Sequence, residues 1–224
     1  MKAMLLAAGR GERMRPLTDH IPKPLLEVAG RPLLDYPLAR LAQAGIDEVV
    51  INLAWHGSQV REFVGDGSRW GLRVQFSDEG PEALETGGGI RQALPLLGTE
   101  PFWLVNADVY SDYTFRPRGL ADGVLAHLVL VPNPDHHPAG DFAFAAGQVS
   151  DGEGQRFTYS GLAVVDPGIV RDLAPGRFPL GPLLIDAAKA GRLTGELHEG
   201  LWTDVGTPAR LAELERMLGA QTSR

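Results

Sequence analysis

The residues best suited to chemistry lie near the start of the chain. Leu6-Ala7-Ala8-Gly9-Arg10-Gly11-Glu12-Arg13-Met14-Arg15-Pro16-Leu17-Thr18 places two glycines directly after a short apolar run. Glycines there let backbone N–H groups turn toward a phosphate, and Arg13 and Arg15 add charge-assisted donors. A dinucleotide fingerprint needs a third glycine where Met14 stands, and the Gly-Lys-Ser/Thr of a P-loop is missing. Two glycines alone would read as an ordinary strand-to-loop turn. With two arginines and a Pro-Leu-Thr in the same turn, a nucleotide phosphate site is the better reading. In Pro22-Lys23-Pro24-Leu25, prolines fix the backbone on both sides of a lysine. A lysine braced in this way can hold its ammonium against a phosphate as a compact charge.

Three later segments extend this chemistry. Leu84-Glu85-Thr86-Gly87-Gly88-Gly89 stands just before a helical pattern at residues 90–97. Its glycines permit close approach to the backbone, and a helix N-terminus favours anions; a plain flexible turn is the alternative. Asn106-Ala107-Asp108 ends an apolar strand-like run, at the carboxyl edge where open α/β sheets place ligands. Trp202-Thr203-Asp204-Val205-Gly206-Thr207-Pro208 brings a second carboxylate in a similar run. Two carboxylates from distant positions suit Mg²⁺, a hard ion that keeps waters and shares substrate phosphates. The pair His136-His137 is a poor metal site, because adjacent imidazoles do not converge easily on one ion. No Gly-x-Ser-x-Gly elbow supports an acyl-transfer triad.

Composition narrows the classes further. The 224 residues include no Cys, which removes thiolate nucleophiles, disulfide scaffolds and iron–sulfur clusters. With 21 Lys+Arg against 28 Asp+Glu the net charge is −7, which argues against a nucleic-acid or anionic-membrane partner. Only Lys2, Lys23 and Lys189 are lysines, so a braced Lys23 stands out. The apolar run at the start is short and soon meets Arg10, Glu12 and Arg13, unlike a signal peptide, so a cytoplasmic protein is expected.

The elements that must position these residues alternate between strand and helix. Apolar runs at residues 2–8, 49–53, 72–76 and 102–105 read as strands, and residues 34–42 and 58–64 read as helices. Such alternation implies right-handed βαβ units and a mostly parallel sheet. The second half looks different, with β segments at residues 124–131, 142–144, 148–150 and 157–165 separated by glycine turns, and an amphipathic stretch at 180–190. Thr207 and Pro208 open a last helix with Leu211, Leu214, Met217 and Leu218 as its apolar stripe. The expected fold is α/β: a Rossmann-like mixed, mostly parallel sheet flanked by helices, with a smaller β-rich part. One domain over 1–224 is expected, with a nucleotide-binding half at about 1–108, a sugar-phosphate half at about 109–206 and a helix at 207–219.

In order and spacing, LAAGRGERMRPLT, PKPL, LETGGG, NAD and WTDVGTP resemble the sugar-1-phosphate nucleotidyltransferase family over almost the whole chain. The compact length, the LETGGG form and the stretch from Val131 to Phe142 are most similar to short bacterial uridylyltransferases acting on cell-wall sugars. The resemblance implies UTP and a sugar 1-phosphate as substrates, with Mg²⁺ as cofactor. It implies that Gly9, Gly11, Glu12 and Arg13 wrap the triphosphate, with Arg13 at the departing pyrophosphate. Lys23 would meet the α-phosphate or the sugar phosphate, and Ala8, Gly87 and Gly88 would border the base. Asp108 and Asp204 would hold the metal, and Asn106, Asp141, Thr158, Ser160 and Gly161 would face the sugar. Many relatives carry a Glu-Lys-Pro segment whose lysine meets the sugar phosphate; here residues 150–156 contain none. Arg156 or a second Mg²⁺ is expected to supply that charge, with Glu153 as a ligand or sugar contact. A mannose- or glucose-1-phosphate enzyme using GTP, TTP or UTP is the alternative, and a non-catalytic nucleotide-sugar-binding regulator is a third reading. Oligomeric state, monomer or small homo-oligomer, is not fixed by these residues.

Overall fold

Short apolar runs punctuated by glycine turns build a wound sheet in the first half of the chain. The computed structural model describes residues 1–222, with side chains to residue 219. The first half comprises β1 (Lys2–Leu6), the small hairpin β2 (Glu27–Val28) and β3 (Arg31–Pro32), α1 (Asp35–Gln43) and β4 (Glu48–Leu53). It continues through α2 (Gly57–Val64), β5 (Arg73–Asp78), α3 (Glu85–Leu97), β6 (Phe102–Asn106) and β7 (Val109–Ser111). The second half comprises β8 (Ala126–Val131), β9 (Phe142–Ala145), β10 (Gln148–Ser150), β11 (Arg156–Val165), α4 (Gly168–Arg171) and α5 (Gly181–Lys189). β12 (Leu193–Leu197), β13 (Trp202–Asp204) and α6 (Pro208–Thr222) complete it.

Nine strands form the central sheet in the order β5-β4-β1-β6-β11-β8-β12-β10-β9. The pairs β5–β4, β4–β1 and β1–β6 are parallel, as the strand–helix alternation requires. The sheet is mixed because β11 runs antiparallel to both of its neighbours, β6 and β8, and the β9–β10 hairpin continues that pattern. Side chains alternate between two apolar cores. Met4, Val50, Leu104 and Leu128 face α3 and α5, while Ala3, Leu5, Ile51 and Trp103 face α1 and α2. Full burial of each large aliphatic side chain contributes about 1.5–3 kcal/mol.

A third, smaller core positions the chemistry. Met14 from the glycine loop, Val28 and Leu33 around the β2–β3 hairpin, Tyr110 from β7, Val205 after β13 and Leu214 from α6 pack together. This core lies one residue from Arg13, Arg15 and Asp204 and two from Asp108. It fixes three distant segments against one another. Among the described residues no helix is long and apolar enough to cross a membrane.

The structure changes two local expectations. Gly87, Gly88 and Gly89 lie inside the first turns of α3, which starts at Glu85 rather than after the glycines. The strand-like run at Trp202–Asp204 is β13, whereas β7 and β12 were not legible as strands, because β7 has only three residues and β12 contains a central glycine.

Candidate active site

At the carboxyl end of β1 the chain enters the glycine loop. Gly11 takes a left-handed φ of 67°, and a Cβ there would lie 3.1 Å from both Lys23 Cβ and Thr18 Cγ2. Glycine is therefore required on two counts, conformation and space. Its carbonyl accepts from Met14 N at 2.9 Å and Thr18 Oγ1 at 2.8 Å, so the loop closes on itself against Lys23. Lys23, flanked by Pro22 and Pro24, keeps only 10% of its side chain exposed and forms an ion pair with Asp108. These residues border a cleft of about 420 Å³. Its walls include Ala8, Gly9, Gly11, Glu12, Arg13, Lys23, Asn106 and Asp108, so eight of the sequence-predicted residues converge.

The cleft also exposes residues that sequence reasoning missed. Asn52, buried at the end of β4, accepts from Ala7 N through Oδ1 at 2.7 Å and donates from Nδ2 to Glu79 Oε1 at 2.6 Å. Glu79 Oε2 in turn accepts from Leu84 N at 2.6 Å. This relay ties the end of β1 to the start of α3 across the floor of the cleft. Burial pushes the Glu79 carboxyl above its ordinary value, with the Leu84 N–H and Asn52 opposing that rise. Glu85, also in the cleft wall, adopts a left-handed φ of 61° at the head of α3. A single Asn within the apolar run Val49-Val50-Ile51-Asn52-Leu53 is the one signal that could have marked the relay.

The two acidic candidates meet through a ladder. β7 and β13 pair antiparallel with Asp204 opposite Val109, and Val205 N donates to Asp108 O at 2.8 Å. Asp204 does not itself line the cleft, whereas Gly206 two residues on does. Among the described residues no three His, Asp or Glu side chains group to hold a metal unaided. Two carboxylates on adjoining backbone segments are hard-oxygen donors of the kind a divalent cation takes when water and substrate phosphate complete its shell. Each carboxylate is covered by a basic partner: Lys23 lies on Asp108, and Arg210 Nη1 lies 2.6 Å from Asp204 Oδ1. His136 Nε2 stands 3.1 Å from the same Asp204 oxygen, so the loop at residues 132–141 reaches this corner.

Other predicted positions fall elsewhere. Gly87 and Gly88 do not line the cleft: a Cβ on Gly87 would lie 2.5 Å from the Phe178 ring, and one on Gly88 would collide with the Gly176 carbonyl. Their smallness serves packing between α3 and residues 176–178, and Thr86 is the nearer wall. Thr158 and Ser160 are buried with their hydroxyls engaged, Thr158 donating to Asn133 Oδ1 at 3.0 Å and Ser160 to Val129 O at 2.7 Å. They support a bulge in β11, where the register shifts between Tyr159 and Leu162. Gly161, with φ 80°, lies under Asn106, whose Nδ2 would be 2.6 Å from a Cβ there. Asp141 accepts from Tyr159 N at 2.7 Å and pairs with His137 Nε2 at 3.0 Å. Glu153 is exposed between β10 and β11. Arg156 donates to the backbone carbonyl of Asp141 and stands 3.6 Å from Asp151, away from Asp108 and Asp204.

A family model described as Nucleotidyl transferase matches residues 2–119. The N-acetylmuramate alpha-1-phosphate uridylyltransferase of Neisseria meningitidis is 47% identical, over 98% of this chain and 99% of the relative. The chain belongs to the nucleotidyl transferase family. A Caulobacter vibrioides protein with the same name as the Neisseria relative is 39% identical over 97% of both chains. Among solved structures, a UDP-glucose pyrophosphorylase complexed with UDP-glucose shares the fold with a TM-score of 0.78, at 16% identity and 98% coverage of each chain. HddC from Yersinia pseudotuberculosis, complexed with GMP-PN, gives 0.77 at 20% identity, over 97% of this chain and 99% of its own. In this nucleotidyl transferase the matched segment holds the glycine loop, Lys23, Asn106 and Asp108, whereas Asp204 and Arg210 come from beyond it.

Proposed function

We propose that the chain transfers UMP from UTP to N-acetylmuramic acid α-1-phosphate, releasing pyrophosphate and forming UDP-N-acetylmuramic acid. End-to-end similarity to the Neisseria enzyme carries this reading, because it spans both halves of the cleft. The chemistry is an in-line displacement. A phosphate oxygen of the sugar 1-phosphate forms a bond to the α-phosphorus of UTP, and the bond to the β-phosphate oxygen breaks. That oxygen is already anionic at neutral pH, so the site needs charge neutralisation and alignment more than a base.

The residues on the cleft wall match that demand. The 9–13 loop offers backbone N–H groups and the Arg13 guanidinium to the triphosphate and to the departing pyrophosphate. Lys23, held nearly buried by its prolines and by Gly11, presents one ammonium to the α-phosphate. The Asn52–Glu79 relay holds the base side of the cleft rigid, and Asn106, seated on Gly161, faces the acceptor. Mg²⁺ bound by Asp108 and Asp204 would offset the charge of the reacting phosphates. The reaction belongs in the cytoplasm, where UTP is made. A pyrophosphate-release assay with UTP and N-acetylmuramate 1-phosphate against N-acetylglucosamine 1-phosphate tests the reading. Turnover of the muramate substrate is expected to exceed the other by about tenfold or more, the lower end of the discrimination a pocket achieves between substrates that differ by one substituent. Equal rates, or a preference for the second, would refute it.

A further inference from the structure

Two phosphates must meet in this cleft, yet Arg156, which with a second Mg²⁺ as the alternative was expected to supply charge to the acceptor phosphate, is engaged elsewhere. Arg156 donates to the Asp141 carbonyl and faces Asp151. Lys23 and Arg13 lie with the glycine loop, on the nucleotide side. A further cation packs behind the cleft wall at Gly206. Arg210, in the first turns of α6, keeps only 15% of its side chain exposed and rests on Asp204 at 2.6 Å. Gly206, part of the cleft wall, leaves room for it, since a Cβ there would collide with Arg210 Nη2. Both polar contacts of the guanidinium, to Asp204 and to His136 Nε2 at 2.5 Å, use Nη1. Nη2 is used by neither contact and lies against Gly206, the residue that separates it from the cleft.

We propose that Arg210 receives the phosphate of the incoming sugar 1-phosphate, and that it is freed for this role when a divalent cation replaces it on Asp204. The inference rests on the proposed transfer reaction, which supplies the acceptor phosphate. Its physical basis is competition followed by reuse. A cation bound at Asp204 competes with the guanidinium for Oδ1 and, from the neighbouring Oδ2, repels it, so metal binding weakens the Arg210 contact. A released guanidinium beside two anionic substrates has a planar fork suited to a phosphate, which a lysine lacks. Metal binding and acceptor binding then favour each other, and by linkage the coupling is reciprocal.

The test uses Mn²⁺ as the probe cation and the full chain carrying Arg210→Ala, Arg210→Gln or Arg210→Lys. Free Mn²⁺, read from its paramagnetic resonance signal without substrates, is expected to show about tenfold tighter binding to the Ala and Gln variants than to the parent. Calorimetric titration of N-acetylmuramate 1-phosphate and glucose 1-phosphate follows, into Mn²⁺-loaded protein with a non-hydrolysable UTP analogue. Affinity for the acceptor is expected to fall about tenfold or more in the Ala and Gln variants, with partial recovery in Arg210→Lys. Affinity for the UTP analogue should stay within about twofold, because the coupling acts on the acceptor. Unchanged or weaker Mn²⁺ binding, or an acceptor affinity indifferent to Arg210, overturns the proposal. Neither readout needs turnover, so a parent that binds glucose 1-phosphate but not the muramate sugar refutes the substrate assignment and leaves the Arg210 result standing.

Discussion

Lys23 and Asp108 neutralise each other across the floor of the cleft, and each is left with excess charge when the other is removed. Asp108→Asn should therefore lower pyrophosphate release by about 10²–10³-fold, the scale seen when a preorganised electrostatic group is deleted. Its far-UV circular dichroism should match the parent, because Asp108 stands on the cleft wall rather than in a core. Parent-like turnover would remove Asp108 from the chemistry. Legibility at this scale followed chain punctuation. Gly9, Gly11 and Lys23 could be read because glycines and prolines mark backbone that must bend or stay fixed. Asn52 was marked only by its place in an apolar run, and Glu79 not at all, since their meaning lies in a contact between the ends of two neighbouring strands. Arg210 was equally silent. One more arginine on a helix is ordinary until the fold shows Asp204 beneath it.

Among the elements, α3 depends on having no side chains along one edge. Gly88 N donates to Phe178 O at 3.0 Å, and Phe178 N donates to Leu84 O at 3.1 Å, binding residues 176–178 to the head of the helix. Gly88→Ala would gain helix propensity, yet its methyl would meet the Gly176 carbonyl, a backbone atom that cannot swing aside. Overpacking should win by about 1–2 kcal/mol, lowering the melting temperature by several degrees. A melting temperature equal to or above the parent's would mean that the segment yields freely. The glycines of LETGGG were conspicuous in the sequence, but their purpose was not. A run of glycines is compatible with a ligand or with a neighbouring backbone, and only the positions of Gly176 and Phe178 decide between them.

For the molecule as a whole, the first half could be read because parallel βαβ winding repeats a simple rhythm of apolar run, glycine stop and amphipathic helix. The second half broke that rhythm. Its β8–β11 were still legible as separate segments, but their order in the sheet was not: β11 carries a bulge and runs antiparallel to its neighbours, and β12, with a glycine at its centre, returns between β8 and β10. That half also holds a charged cluster outside the cleft, where Glu196 on β12 meets Tyr113, Arg118 and His127. The His127 imidazole beside it, helped by the Tyr113 hydroxyl and Arg118, holds the Glu196 carboxyl at about 2, against the opposing effect of burial. A depressed carboxyl stabilises the fold above its ordinary value of 4.5, and that contribution fades as pH falls toward 2. Because the side chain is 38% exposed, solvent screening reduces the contribution to about 1–2 kcal/mol. Urea unfolding between pH 5 and about 2.5 should show a shallower loss for Glu196→Gln than for the parent, and parallel profiles would contradict the assignment. The β7–β13 ladder bears on how the molecule acquires activity. Three-residue strands hold little on their own, and these come from segments far apart along the chain, so they close only on a core already assembled. Stopped-flow refolding should therefore show pyrophosphate release returning with or after the far-UV signal; release returning first would contradict this order. Asp204 stands opposite Val109 only when these three-residue strands are paired, so a break in this short ladder would separate the two acidic candidates while leaving the glycine loop and Lys23 on the main body of the fold.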